Sequence, residues 1–332
     1  MIPLEPLTPL QFTPIFKAAL WGGTRLRPML GAAPAAEATG EAWLLSDYGA
    51  DASVVANGPF AGTTLRQLML EAPERLLGRP AEASGRFPLL LKIIDARRPL
   101  SVQVHPTDAQ ARVHEPDGPG RGKTEAWVVL EADADARVYA GLEPGVTPDL
   151  LRRSIARGDV EQFLYAHSPQ PGDTFFLKAG TVHAIGGGLV IFEVQQTSDI
   201  TYRLYDWGRL DPATGQPREL HIEKGLACVD YTIGPCRPVV PTDEIRGRVK
   251  LTPLVECEYF TLGRWDGDRP FQAGAAGKCR VLVGNHGRAM LQHAGIDYPV
   301  GPGDVWLLPA EVGACQCVPD GPTTLLECGL PE

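Results

Sequence analysis

The sequence predicts a mainly β protein, with two related β-barrel domains carrying a few short helices. Three observations lead there. Apolar runs of four to six residues recur between turn signals. Glycine and proline are abundant, at 37 and 31 of 332 residues, without the three-residue period of collagen. Two nine-residue segments 131 positions apart also resemble each other, as a weak internal repeat.

In chain order, the first clear element is helical. Thr64-Leu65-Arg66-Gln67 has the form of a capping box, with Leu65, Leu68 and Met69 turned inward. Pro73 ends or restarts this helix and Gly78 closes it, which gives a helical stretch near 64–77. Leu89–Ile94, Leu100–Val104 and Glu125–Leu130 read as strands. Thr147-Pro148 is a cap followed by proline at the first helical position. Leu151 and Ile155 share a face, Gly158 interrupts the run, and helical character is expected within 148–165. Thr174–Leu177 and Leu189–Val194 are strands again, separated by the turn signal Gly186-Gly187-Gly188.

The repeat sets the architecture. Pro171-Gly172-Asp173-Thr174-Phe175-Phe176-Leu177-Lys178-Ala179 resembles Pro302-Gly303-Asp304-Val305-Trp306-Leu307-Leu308-Pro309-Ala310. The same offset carries His183 onto Ala314, so the second copy lacks the histidine. A boundary fits the proline-rich stretch Pro235–Pro241. The expected organisation is a metal-binding domain over 1–238 and a degenerate domain without metal ligands over 239–332.

Composition narrows the function. The charged fraction is 21% and the hydrophobic fraction 44%, which fits a globular chain. The net charge is −9 with no cluster of lysine or arginine, which argues against nucleic acid as a partner. A local pocket can still be positive and take an anionic substrate. No run of eighteen apolar residues is present, so no membrane span is expected. Met1–Leu10 lacks the pattern of a signal peptide, and the expected location is the cytoplasm. The seven cysteines all lie between Cys228 and Cys328 and are expected to be reduced and partly buried. Cys315-Gln316-Cys317 has no second ligand pair nearby and reads as structural.

Four residues form a candidate metal site. Gln103 and His105 are two apart, so on a strand they project from one face. Glu125 opens the next strand, and His183 follows the glycine turn of the first repeat copy. Two imidazoles and a carboxylate make a three-ligand set that leaves a position open, with the Gln103 amide oxygen as a fourth donor. The same donors suit zinc, iron(II), manganese or cobalt. A lone histidine in a strand is more often structural, and His114, His167, His221, His286 and His293 are read that way.

These residues resemble a known family. Gly172, Lys178-Ala179-Gly180 and His183 are similar to the second cupin motif, with Lys178 in place of its proline. The first cupin motif departs, because Gln103 stands where a histidine is usual and Glu125 lies twenty residues past His105. That departure resembles the type I mannose-6-phosphate isomerases, in their short bacterial form. Phe16-Lys17, Leu20-Trp21-Gly22-Gly23, Gly40-Glu41-Ala42-Trp43 with Ser46, Leu91-Lys92, Ser101 to Pro106, Gly122 to Trp127 and Gly180 to Arg209 follow in family order, over about residues 12 to 225.

The resemblance implies two jelly-roll barrels and one divalent metal per chain, zinc first. It implies metal ligands at Gln103, His105, Glu125 and His183, and catalytic roles for Arg203 and Lys123. Lys123, Arg203, Asp199, Ser46 and Glu41 are the expected sugar-phosphate contacts. The implied reaction interconverts mannose 6-phosphate and fructose 6-phosphate through a cis-enediol. The general base stays open among Lys123, Asp199, Glu41 and a metal-bound hydroxide. Asp199 alternatively serves as a salt-bridge partner of Arg203. Tyr202, Tyr205 and Trp207 either wall the pocket or pack the barrel. The competing functions are an iron(II) cupin oxygenase and a non-catalytic sugar-phosphate-binding cupin.

Overall fold

A computed structural model describes residues 5–331 except 83, 117, 119, 212, 213, 243, 247 and 248. The first half is two antiparallel sheets packed face to face. One has six strands in the order Thr174–Leu177, Glu125–Ala132, Leu189–Gln196, Leu89–Ala96, Ile15–Gly23, Thr39–Leu45. The other has five, in the order Leu164–His167, Val138–Leu142, His183–Ile185, Val102–Val104, Tyr202–Tyr205. The second half repeats this plan with a seven-stranded and a four-stranded sheet.

Alternation along the strands assigns the layers. In the six-stranded sheet, Leu89, Leu91, Ile93, Phe192 and Val194 face outward into a core with Leu65 and Leu68 of the helix Leu65–Glu71 and Leu76 of the helix Pro73–Leu77. Ile94, Ala96, Trp127, Val129 and Ile191 face inward against Val138, Ala140 and Ile185 of the other sheet. The outer face of the five-stranded sheet packs Val102, Val104, Ala184 and Leu204 on Leu151, Ile155 and Leu226. Gln103, His105, His183 and Arg203 have the opposite parity, so they point into the barrel.

The capping box is formed: Thr64 and Gln67 exchange side-chain and backbone hydrogen bonds, and the helix runs Leu65–Glu71. Pro73 restarts it as Pro73–Leu77, and Gly78 ends it at φ 77°. The helix expected within 148–165 stops at Arg157. Gly158 adopts a left-handed cap at φ 76°, a short 3-10 turn follows, and Leu164–His167 joins the five-stranded sheet as an edge strand. Asp108–His114 and Ile222–Cys228 are further helices that the sequence reading did not separate from loop.

The repeat is real at the level of single hydrogen bonds. Gly172 and Gly303 both sit at positive φ, 94° and 84°. The Asp173 carboxylate accepts from the Gln170 N–H at 2.9 Å, and the Asp304 carboxylate accepts from the equivalent Gly301 N–H at 2.8 Å. Each motif then enters a strand, Thr174–Leu177 or Val305–Leu308. The two halves also interlock. Leu10–Gln11 forms an edge strand beside Val305–Leu308, and one apolar cluster contains both Leu44 and Trp306.

Cys315 and Cys317 are buried in that apolar interior, and burial pushes the Cys315 thiol up to about 11 and the Cys317 thiol up to about 12. They behave as core residues. Among the described residues no helix is long and apolar enough to cross a membrane.

Candidate metal centre and the cavity beside it

Strand register builds the site. His183 and Arg203 lie directly opposite Gln103 on its two neighbouring strands, so all three share the inner face. His105 is two residues further on, just past the end of the Val102–Val104 strand. Glu125 comes from the facing sheet, two residues from inward-pointing Trp127. The candidate donor atoms of His105, Glu125 and His183 all lie within 4.8 Å of one another, and the three side chains are buried.

The histidine tautomers follow from their other nitrogens. His105 Nδ1 is 2.9 Å from the Ile200 carbonyl, and His183 Nδ1 is 2.9 Å from the Thr181 carbonyl. A carbonyl only accepts, so each Nδ1 carries the proton and each Nε2 presents a lone pair. Burial, with Lys123 next, holds the His105 imidazole well below its usual range and lowers His183 to about 3. Both are therefore neutral near pH 7. Their Nε2 atoms nevertheless face the Glu125 carboxylate, at 3.5 Å for His105 and 3.3 Å for His183. Lone pairs facing an anion repel unless a cation lies among them. Glu125 Oε1 is buried without a hydrogen-bond partner. The Lys123 ammonium touches Glu125 Oε2 and lies 3.0 Å from His105 Nε2, so the donors already converge on positive charge. This donor set fits a divalent metal ion. Gln103 reaches His183 Nε2 at 3.2 Å, and either amide atom can be turned inward by a flip about its last torsion.

A cavity of about 320 Å³ adjoins the centre, lined among others by Glu41, Lys92, Gln103, Lys123, Glu193, Asp199, Arg203 and Arg218. Lys92 is buried 3.4 Å from Glu41, 3.8 Å from Glu193 and 3.7 Å from Asp199. Burial alone would depress its ammonium, but Glu41, Glu193 and Asp199 outweigh burial and raise it. Burial raises the carboxyl groups of Glu193 and Asp199, against the pull of the two lysines. Glu41 goes the other way: burial would raise it, and Lys92 and the Trp43 indole N–H together bring it down.

The expected site residues thus divide. Gln103, Lys123, Arg203, Glu41 and Asp199 line the cavity, and His105, Glu125 and His183 stand beside it. Ser46 does not reach it. Its hydroxyl is fully buried and accepts from the Tyr48 N–H at 3.1 Å, inside a turn held by Ser53. Asp199 pairs with Lys92 rather than Arg203. Arg203 Nη1 donates instead to the Glu219 carbonyl at 2.8 Å. Tyr202, Tyr205 and Trp207 stay out of the cavity, and Trp207 donates its indole N–H to the Leu100 carbonyl. The sequence reading gave no role to Lys92 or Glu193. An inward-facing lysine inside Leu89–Ala96 and an inward-facing glutamate inside Leu189–Gln196, directly opposite each other, are the signal that marks them.

Comparison with known proteins agrees with this geometry. Residues 10–139 match the model of the type I phosphomannose isomerase catalytic domain. The mannose-6-phosphate isomerase ManA of Bacillus subtilis is 38% identical over 315 residues, covering 92% of this chain and 94% of that protein. The chain belongs to the type I phosphomannose isomerase family. The mannose-6-phosphate isomerase of Streptococcus mutans is 40% identical over 275 residues, covering 80% of this chain and 84% of the other. A crystal structure of the Bacillus subtilis mannose 6-phosphate isomerase superposes with a TM-score of 0.89 at 32% identity, covering 98% of this chain and all of that one. A zinc-bound mannose 6-phosphate isomerase shares the fold at a TM-score of 0.79 and 16% identity, over 98% of this chain and all of that one. Mainly β architecture, as the sequence predicted, is thus common to these phosphomannose isomerases and this chain.

Proposed function

We infer that this chain is a metal-dependent isomerase that interconverts mannose 6-phosphate and fructose 6-phosphate. Family membership favours this over the iron(II) oxygenase and the non-catalytic sugar-phosphate binder. The observation that carries the chemistry is the convergence of two neutral imidazoles on a buried, half-unpartnered carboxylate at the edge of a charged cavity. His105, His183 and Glu125 would hold the metal through nitrogen and oxygen, with the Gln103 amide oxygen as fourth ligand. Zinc is the ion we propose, since the donor set suits it and a zinc-bound relative shares the fold. Bound there, the ion supplies Lewis acidity to the sugar's carbonyl and hydroxyl oxygens.

The rest falls to side chains. Moving a proton between carbon 1 and carbon 2 passes through an enediol, whose negative charge must be held. Arg203 is permanently charged and lines the cavity, so it stabilises that charge. Lys123, at contact with Glu125 and 3.8 Å from Glu193, is placed to polarise a sugar oxygen near the metal ligands. Asp199 is the strongest candidate to shuttle the proton. It is a cavity carboxylate whose affinity for protons is raised, and its side chain is 45% exposed. Glu41 is tied to Trp43 and Lys92 and serves better to position Lys92. The seven cysteines are all free thiols, which fits a reducing compartment such as the cytoplasm.

The test is turnover of fructose 6-phosphate by purified protein, with mannose 6-phosphate measured directly. Activity should vanish with a strong chelator and return with added zinc. In deuterated water the product should carry solvent deuterium at the carbon that changes. Undiminished turnover after complete metal removal would overturn the reading.

A further inference from the structure

We propose that Arg218 determines specificity by binding the phosphate of the substrate, beside Arg203, which holds the charge of the enediol. This rests on the isomerase reading and deepens it by naming a group that holds the anion.

The segment after the Arg203 strand is built to deliver Arg218. Asp206–Arg209 is a tight turn, closed by the Arg209 N–H on the Asp206 carbonyl at 3.1 Å. Trp207 and Gly208 occupy its centre at φ 58° and 65°. Positive φ is costly for a bulky aromatic residue. Trp207 holds it with a 2.6 Å hydrogen bond to the Leu100 carbonyl and ring contacts to Tyr139 and Tyr205. The chain doubles back through the Asp211 N–H to the Gln216 carbonyl and the bridge between Leu210 and Pro217. It then docks the His221 N–H on the Arg203 carbonyl at 2.7 Å. Arg218 is thereby fixed beside Arg203, and both line the cavity.

Charge selects an anion there. Arg218 binds Asp206 through Nε at 2.8 Å and Nη2 at 2.5 Å, and Arg209 binds the same carboxylate. Among the described residues, the Arg203 guanidinium donates to the Glu219 carbonyl alone, and its Nε is buried without a partner. Two guanidinium groups thus share one buried carboxylate, and a third stands beside them with no carboxylate of its own among the described residues. Lys92, by contrast, is enclosed by Glu41, Glu193 and Asp199, which would repel a phosphate, and Lys123 is engaged with Glu125. A phosphate dianion offers the acceptors that the free guanidinium N–H groups lack.

The experiment measures KM for fructose 6-phosphate and competitive inhibition by inorganic phosphate in wild type, Arg218→Gln and Arg218→Lys, each with its metal content determined. Arg218→Gln should raise KM at least about tenfold and raise the phosphate inhibition constant in parallel, more than it lowers kcat. Arg218→Lys should recover part of both. A folded, metal-replete Arg218→Gln with unchanged KM and unchanged phosphate inhibition would overturn the proposal and leave Arg218 as a clamp for Asp206. If that variant does not fold, phenylglyoxal labelling of wild type decides. Inorganic phosphate should protect Arg218 while exposed Arg152 stays reactive, and equal labelling of Arg218 with and without phosphate would refute the proposal. Absence of isomerisation by wild type would strike the underlying reading instead.

Discussion

At the residue scale, the account depends on two side chains opposite Gln103. His183→Ala removes one Nε2 donor and leaves Glu125 and His105 facing each other with less to bind. We expect loss of both metal, read by elemental analysis, and turnover. Arg203→Ala touches no ligand contact in this structure. It should keep the metal and lower kcat by about 10²-fold or more, the range seen when a donor to developing negative charge is removed. Near-full activity in that variant would refute the catalytic assignment. Both residues were legible from the sequence because the motif spacing placed them. Lys92 and Glu193 were not, because each lies in a largely apolar strand whose partner is about a hundred residues away in sequence. Only the pairing of Leu89–Ala96 with Leu189–Gln196 brings them opposite each other. Ser46 lies outside the cavity lining, because a turn holds its hydroxyl on the Tyr48 N–H, a local fold that the motif does not reveal.

At the element scale, caps and turns explain where the chain was readable. Thr64 caps Leu65–Glu71 through a complete capping box, so Thr64→Ala should cost about 1 kcal/mol in denaturant unfolding with activity kept. The same local logic placed Gly78 and Gly158, and it also accompanies Thr107 and Gln110 at the Asp108–His114 helix. Edge strands were harder, since Leu164–His167 is specified by its partner Val138–Leu142 rather than by its own pattern. The Asp206 turn makes a prediction about acid. Burial would raise the Asp206 carboxyl, but Arg218 and Arg209 outweigh it and hold it below its usual value. A depressed carboxyl stabilises the fold above the unfolded value of about 3.9 and stops doing so as pH falls through the folded one. Asp206→Asn should therefore lose about 2 kcal/mol near neutral pH, and its stability should fall less steeply than wild type below about pH 4. Parallel acid limbs in the two proteins would contradict this.

At the scale of the whole molecule, the repeat made the two-barrel plan visible, and the mapping of His183 onto Ala314 is why we propose a metal in the first barrel alone. The two halves are packed together: the Leu10–Gln11 strand lies in the C-terminal sheet and one apolar cluster runs through both halves. Pairing between residues 297 apart, such as Leu10 with Leu307, leaves no local trace in a sequence. We expect calorimetry to give one cooperative transition, and a chain ending at Pro238 to fail to fold alone. Two well-separated transitions would show that the halves are independent. The most direct test of the central claim is a crystal of the zinc-loaded protein measured across the zinc absorption edge. One anomalous peak is expected, bounded by His105 Nε2, His183 Nε2 and a Glu125 oxygen, at about 2.0–2.2 Å from each. No peak at that point, in crystals of protein that is active and holds one zinc per chain, would contradict the claim.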